Sequence, residues 1–119
     1  MLRLIGLLLM LLALAASATP ASVQVQTVTL ACKYLDMPGG SRTSLVIDYT
    51  ARMVTYSGTL SSASISSTMI RWSQTNAPIR LDFRLDRVTG EMYMDTIGLR
   101  DGRFLGTAHF LCELAQRRF

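Results

Sequence analysis

The side chains able to do chemistry in this chain are few. There is one histidine, His109, and there are two cysteines, Cys32 and Cys112, with a pair of aspartates at Asp82 and Asp86. A Ser-His-Asp nucleophile needs its histidine within hydrogen-bond reach of a hydroxyl. Serines are plentiful, yet no Gly-x-Ser-x-Gly elbow occurs. His109 also falls out of phase with Phe104, Phe110 and Cys112 in an alternating stretch, so its ring faces away from theirs. A hydrolase built on His109 is therefore the weakest functional reading. Asp82 and Asp86 stand four apart, roughly 13 Å at strand rise, too far to share acid and base duties. Arg80 and Arg84 interleave with them and make solvated ion pairs the natural reading. No C-x-x-C spacing exists, and one histidine cannot complete a four-ligand zinc set. Met92 and Met94 share a strand face, which suits copper(I) thioether ligation on paper but core filling in practice. The expectation is no catalytic residue, no cofactor and no metal.

The apolar content is 50% and the charged content 17%, and the excess is concentrated at the start. Residues 4–14 carry no charge and follow Met1-Leu2-Arg3, and Ala15-Ala16-Ser17-Ala18 closes the run. Charge, apolar run and small residues together make a secretory signal, with cleavage after Ala18, or after Ala21 as the alternative. A membrane-spanning helix needs ~20 apolar residues, so no span is expected after cleavage. A lipid anchor would need a cysteine directly after the run, and the first is Cys32. The reading is a leader over 1–18 and a single domain over 19–119, secreted or periplasmic. In that compartment Cys32 and Cys112 are expected to form a disulfide. Closing a loop of about 80 residues contributes roughly 4–5 kcal/mol in the chain-entropy picture, which is large beside a whole-domain stability on the order of 5–15 kcal/mol.

The rest of the chain is a series of short alternating stretches punctuated by turns. Val28, Leu30, Cys32 and Tyr34 alternate with polar or small neighbours, and Pro38-Gly39-Gly40-Ser41 turns the chain. Leu45, Ile47 and Tyr49 continue the pattern, then Met53 to Tyr56, then a turn at Ser57-Gly58. The Ser-rich residues 61–68 keep period two through Ala63 and Ile65 and read as an edge strand. Residues 69–72 read as a strand and 74–78 as a loop. Ile79–Asp86 alternates strictly, with Ile79, Leu81, Phe83 and Leu85 on one face and charges on the other. Val88-Thr89-Gly90 turns into a strand from Glu91, and Asp101-Gly102 marks a hairpin. The last strand runs from Phe104 to Cys112, with a tail over 113–119. Seven or eight short strands with turns every 8–12 residues predict an all-β fold, a small antiparallel β-barrel or sandwich. Cysteines on the first and last strands favour the barrel.

The basic excess, 12 against 8, is almost all arginine, with Lys33 the single lysine. These arginines are interleaved with Asp82, Asp86, Asp95 and Asp101 rather than gathered into a patch. With no recognition motif and an extracytoplasmic address, no nucleic-acid partner is expected.

Ile70-Arg71-Trp72, Leu85-Asp86-Arg87-Val88-Thr89-Gly90, Gly106, Cys112 and the Arg117-Arg118-Phe119 end resemble a group of small secreted bacterial proteins of unknown function. That resemblance covers half of the domain and implies a compact β-domain, with the Thr-Gly turn as a structural element. Size, leader and cysteine placement are also similar to periplasmic inhibitors of C-type lysozyme, which are eight-stranded barrels. Their Ser-Gly-x-x-Tyr loop is not reproduced, since Thr59-Leu60-Ser61 follows Ser57-Gly58. No inhibitory residue is carried over.

The leading expectation is a non-catalytic module binding a protein or an envelope component, conceived as inhibitor-like. Trp72, Tyr93, Arg87 and Arg103 are the candidate contact residues, because aromatic and arginine side chains dominate contact energy. The alternative is a small-ligand barrel with Trp72, Tyr93 and Phe110 lining a cavity.

Overall fold

Eight alternating stretches become eight strands. They are β1 (Thr27–Tyr34), β2 (Arg42–Asp48), β3 (Met53–Tyr56), β4 (Thr59–Ile65), β5 (Met69–Asn76), β6 (Ile79–Asp86), β7 (Glu91–Gly98) and β8 (Phe104–Leu114). The computed structural model describes residues 26–115. The leader over 1–18, both cleavage positions and the basic-aromatic end at 117–119 lie outside them. Each strand pairs antiparallel with the next, and β1 returns to pair with β8, closing an up-and-down barrel. Of the two architectures that the alternation allowed, the barrel is the one formed.

Closure is pinned from inside. Cys32 and Cys112 are directly opposed across the β1–β8 ladder and joined by the disulfide. Both cysteines are buried in the core. An eight-stranded barrel is just wide enough for side chains to fill, and aromatic rings do much of the filling. Trp72 stacks flat on Phe83 at 4.8 Å, Tyr56 leans on Phe83 at 5.0 Å, and Phe110 meets Tyr34 at 5.2 Å. Leu45, Ile47, Val54, Ile70 and Met92 complete the interior with almost no exposure. Met92 is thus core filler, and Met94 packs against the same core. Burial pushes the Tyr56 hydroxyl above its ordinary pKa, and a hydrogen bond with Thr43 offsets part of that shift.

The turn after β6 explains why its sequence reads as a unit. Asp86 Oδ1 accepts the N–H groups of Val88 and Thr89, and Thr89 Oγ1 accepts that of Glu91. Gly90 sits at φ +80°, and its carbonyl accepts the Cys112 N–H at 2.8 Å. A Cβ at Gly90 would stand 2.6 Å from the Cys112 carbonyl oxygen. The turn therefore presses directly against the half-cystine that closes the barrel.

Four sequence expectations change. The Ser-rich strand is Thr59–Ile65 rather than 61–68, because the Ser66 N–H donates to the Met69 carbonyl and turns the chain there. Residues 74–76 are strand rather than loop, because Gln74, Thr75 and Asn76 pair with Leu81, Arg80 and Ile79. The strong β6 ladder recruits these polar residues and leaves only Ala77-Pro78 to turn. Phe104 does not share the face of Phe110 and Cys112. The β7–β8 register shifts between Thr96 and Ile97, which pair with Gly106 and Phe104, so the extra residue reverses the phase. Phe104 is 58% exposed as a result. Last, Glu113 and Leu114 are not tail; they extend β8 against Ala31 and Leu30.

Two outcomes follow for stability. Gly90→Ala combines a positive-φ strain of roughly 1–2 kcal/mol with the contact on Cys112. Gly102→Ala, at φ +67° with open space around it, carries only the strain. Urea unfolding should therefore show Gly90→Ala costing at least twice as much as Gly102→Ala; equal costs would remove the role given to the Gly90–Cys112 contact. Replacing both cysteines by Ala should lower stability by about 4–5 kcal/mol in the same assay.

Candidate functional site

The four residues expected to make contacts are not brought together. Trp72 lies inside the barrel at 4% exposure. Tyr93 lies on the outer wall, so it cannot line an interior cavity with Trp72 and Phe110. Arg87 stands at the β6–β7 turn, its guanidinium over the Tyr49 ring at 5.1 Å and donating to the Ser66 carbonyl at 2.5 Å. Arg103 is exposed in the 99–103 loop at the opposite end.

Across β5 to β8 the outer wall is a tied polar surface. Register sets Arg71, Arg84, Tyr93 and His109 in one row. The Arg84 guanidinium lies over Tyr93 at 4.8 Å and donates to Asp95 at 2.6 Å. Tyr93 stacks on His109 at 4.6 Å, and His109 Nε2 stands 3.8 Å from Glu91 Oε1. The histidine thus faces outward, as its phase predicted, and its ring is spent on stacking. In the next row Arg80 grips Asp82 with two hydrogen bonds, 2.9 and 3.1 Å, and the Ser73 hydroxyl donates to the same carboxylate at 2.7 Å. The Arg80 hydrogen bond holds the Asp82 carboxyl below its ordinary pKa, with Ser73 adding to it. Asp82 and Asp86 thus occupy separate structural roles, one in an ion pair and one in a turn.

The less expected feature is the seam between β4 and β5. Their register consists of Ile65↔Ile70, Ser64↔Arg71 and Ala63↔Trp72. Residues 59–62 of β4 and 73–76 of β5 have no register partner across it. β5 meanwhile keeps all eight of its pairs with β6. The Ser66 N–H donates to the Met69 carbonyl at the hairpin, so every second residue from there aims its backbone groups at the seam. By that alternation Leu60 on β4 and Thr75 on β5 face the unpaired stretch. The gap forms an open cleft of about 1010 Å³ in the wall. Trp72 and Phe83 are among its lining residues, with Ser61, Ser62, Ser73 and Arg71 around them. The Trp72 indole N–H is buried and has no acceptor among the described residues. On the inner side Gln74 reaches across, its amide donating to the Tyr56 carbonyl at 3.4 Å.

The cleft opens toward the barrel end that carries the 35–41, 57–58, 77–78 and 99–103 connections. The last two touch, with the Leu99 N–H donating to the Pro78 carbonyl at 3.0 Å. Eight large apolar side chains are exposed among the described residues. Six of them stand at or beside this end: Leu35, Met37, Leu60, Leu99, Phe104 and Leu105. Exposed Arg42, Arg100 and Arg103 accompany them. Parity would have shown part of this from sequence, since alternate turns of an up-and-down meander share an end. No cluster of three or more potential metal ligands occurs among the described residues, and no helix among them is long and apolar enough to cross a membrane.

No protein-family model, no curated protein and no solved structure gives a match to this chain.

The Asp82 shift makes a pH expectation. Its pKa is lowered on folding, so its contribution to stability is present above the ordinary value of 3.8 and fades as pH falls through the depressed one. Solvent screening keeps that contribution small. In an NMR titration the Asp82 carboxyl should have the lower midpoint, rising in Arg80→Ala and rising less in Ser73→Ala. An unchanged midpoint in Arg80→Ala would remove the ion pair as the cause.

Proposed function

We propose that this chain is a non-catalytic, secreted or periplasmic binding module. Its partner is a polypeptide, held at the end bearing the 35–41, 57–58, 77–78 and 99–103 connections. The observation that carries this reading is the gathering of six exposed apolar side chains at one end, beside three exposed arginines. Scattered apolar residues on a surface are ordinary, whereas a concentrated set rimmed by arginine suits a protein contact. The disulfide is weakly compatible with an oxidising compartment, and the secretory leader read from the sequence supplies the rest of the localisation. The small-ligand alternative is less well supported, because packed aromatic rings occupy the barrel interior and the large cleft opens outward. The outward-facing, stacked His109 gives no support to hydrolysis.

The test is site-specific photocrosslinking in a periplasmic and envelope extract, with C-type lysozyme added as one candidate. A crosslinker replacing Phe104 should give a discrete protein adduct, and one replacing Val88 at the far end should not. Phe104→Asp together with Leu105→Asp should weaken the captured complex at least tenfold while leaving the β-sheet circular dichroism intact. Equal adducts from both ends, or none from Phe104, would overturn the reading.

A further inference from the structure

We propose that the β4–β5 cleft receives an extended segment of a partner polypeptide, which adds as a short strand along the free stretch of β5. This rests on the reading of the chain as a polypeptide-binding module and supplies its mode of recognition. Residues 59–62 and 73–76 belong to regular strands yet lack register partners at this seam, and Leu60 and Thr75 aim their N–H and C=O groups into it. Each lip thus offers one free N–H and one free C=O, and such a donor–acceptor pair on an extended strand is matched by another polypeptide backbone better than by any small molecule. β5 is already extended and held on its other side by the complete β6 ladder, so little ordering is needed to bind.

The second observation is the orphaned indole. Trp72 is 4% exposed, lines the cleft, and its N–H has no acceptor among the described residues. A buried donor without a partner is destabilising. A carbonyl of an added segment would satisfy it. Gln74 bonds Tyr56 at a long 3.4 Å, so its amide is also available to the incoming backbone. Small side chains at Ser61 and Ala63 leave room on the inner side above the Trp72–Phe83 stack. On the outer side, the Ser73 hydroxyl is drawn to Asp82 of β6, away from β4, which keeps the lip apart.

Among the described residues, the segment is better supplied by a different polypeptide than by a second copy. All eight strands of the described residues are committed to the barrel, so a copy has no free strand among them to donate.

The experiment uses a displayed library of random octapeptides against the intact, disulfide-bonded protein, followed by synthetic copies of the selected peptides. Thr75→Pro removes the one backbone donor at Thr75 that the β6 ladder does not use, whereas Thr75→Val changes the side chain alone. Peptide affinity should fall at least tenfold in Thr75→Pro and stay within threefold in Thr75→Val. In the unaltered protein, the Leu60 and Thr75 amides should exchange quickly when free and become protected when peptide is added. This reading holds even where the Pro variant folds poorly. Failure to select any peptide, protection appearing elsewhere, or equal binding by Thr75→Pro and Thr75→Val would overturn the strand-addition proposal. Self-association of the protein alone, lost in Thr75→Pro, would also overturn it in favour of a second copy. If the Phe104 adduct forms normally in Thr75→Pro, the binding module stands and only its mode by strand addition falls.

Discussion

An antiparallel meander has two free edges unless its first strand meets its last, and in this chain that meeting is the β1–β8 ladder. Five register pairs make it, running from Leu30↔Leu114 to Tyr34↔Phe110. The Cys32–Cys112 bridge sits in the middle, on the inner face. Much else depends on this closure. The 86–90 turn is packed against Cys112. The 35–41 connection is tied to β8 through the Leu35 N–H to the His109 carbonyl and the His109 N–H to Asp36. The interior rings can pack from all sides only because the wall returns on itself. For a domain this small the apolar core alone is marginal, and a covalent tie spanning 80 residues constrains the unfolded chain where it is most needed.

The outer wall follows from the same geometry. Closing the sheet sends one face of every strand to solvent, and the charged face of β6 finds partners on both neighbours. Asp82 is bonded from Ser73 of β5, and Arg84 bonds Asp95 of β7. Each such exposed pair contributes modestly. Together they lock the side-chain directions of β5 to β8, so that half of the wall is laterally braced. His109 is absorbed into this bracing through Tyr93. The only histidine of the chain is therefore a stacking partner in the wall.

What the sequence disclosed was set by what period two can report. Alternation located β6 to the residue and placed Leu45, Ile47, Phe83 and Leu85 inward, and the two cysteines near the chain's ends pointed to closure. Alternation does not report phase across an inserted residue, so the irregularity at Leu105 turned Phe104 outward unannounced. Nor does it report partners: residues 74–76 look like loop until the β6 ladder is known. Residue type makes Trp72 a contact candidate, and only the structure shows it packed on Phe83 at the floor of the cleft. The cleft was less legible still. It is defined by which pairs across the β4–β5 seam are missing, and a missing pair is a property of the closed assembly with no signature in either strand. Only the Ser-rich composition of β4 hinted that this strand behaves as an edge.

The opening of the seam at β4 and β5 is of a piece with the closure of the barrel. A closed barrel must reconcile strands of unequal length, since β8 has eleven residues and β3 only four. The mismatch cannot collect at β1–β8, which is covalently pinned, nor between β5 and β8, where ladders are long and the outer face is braced. It falls to the short β3 and to β4, whose Ser61, Ser62 and Ser64 offer little packing to hold a full ladder. Leaving a few backbone groups to water costs modestly, since each hydrogen bond contributes only about 0.5–1.5 kcal/mol net. An open edge usually invites aggregation, but this one is only four residues long on each side. One seam is held shut by the disulfide, and the wall is open at another, beside the exposed apolar end.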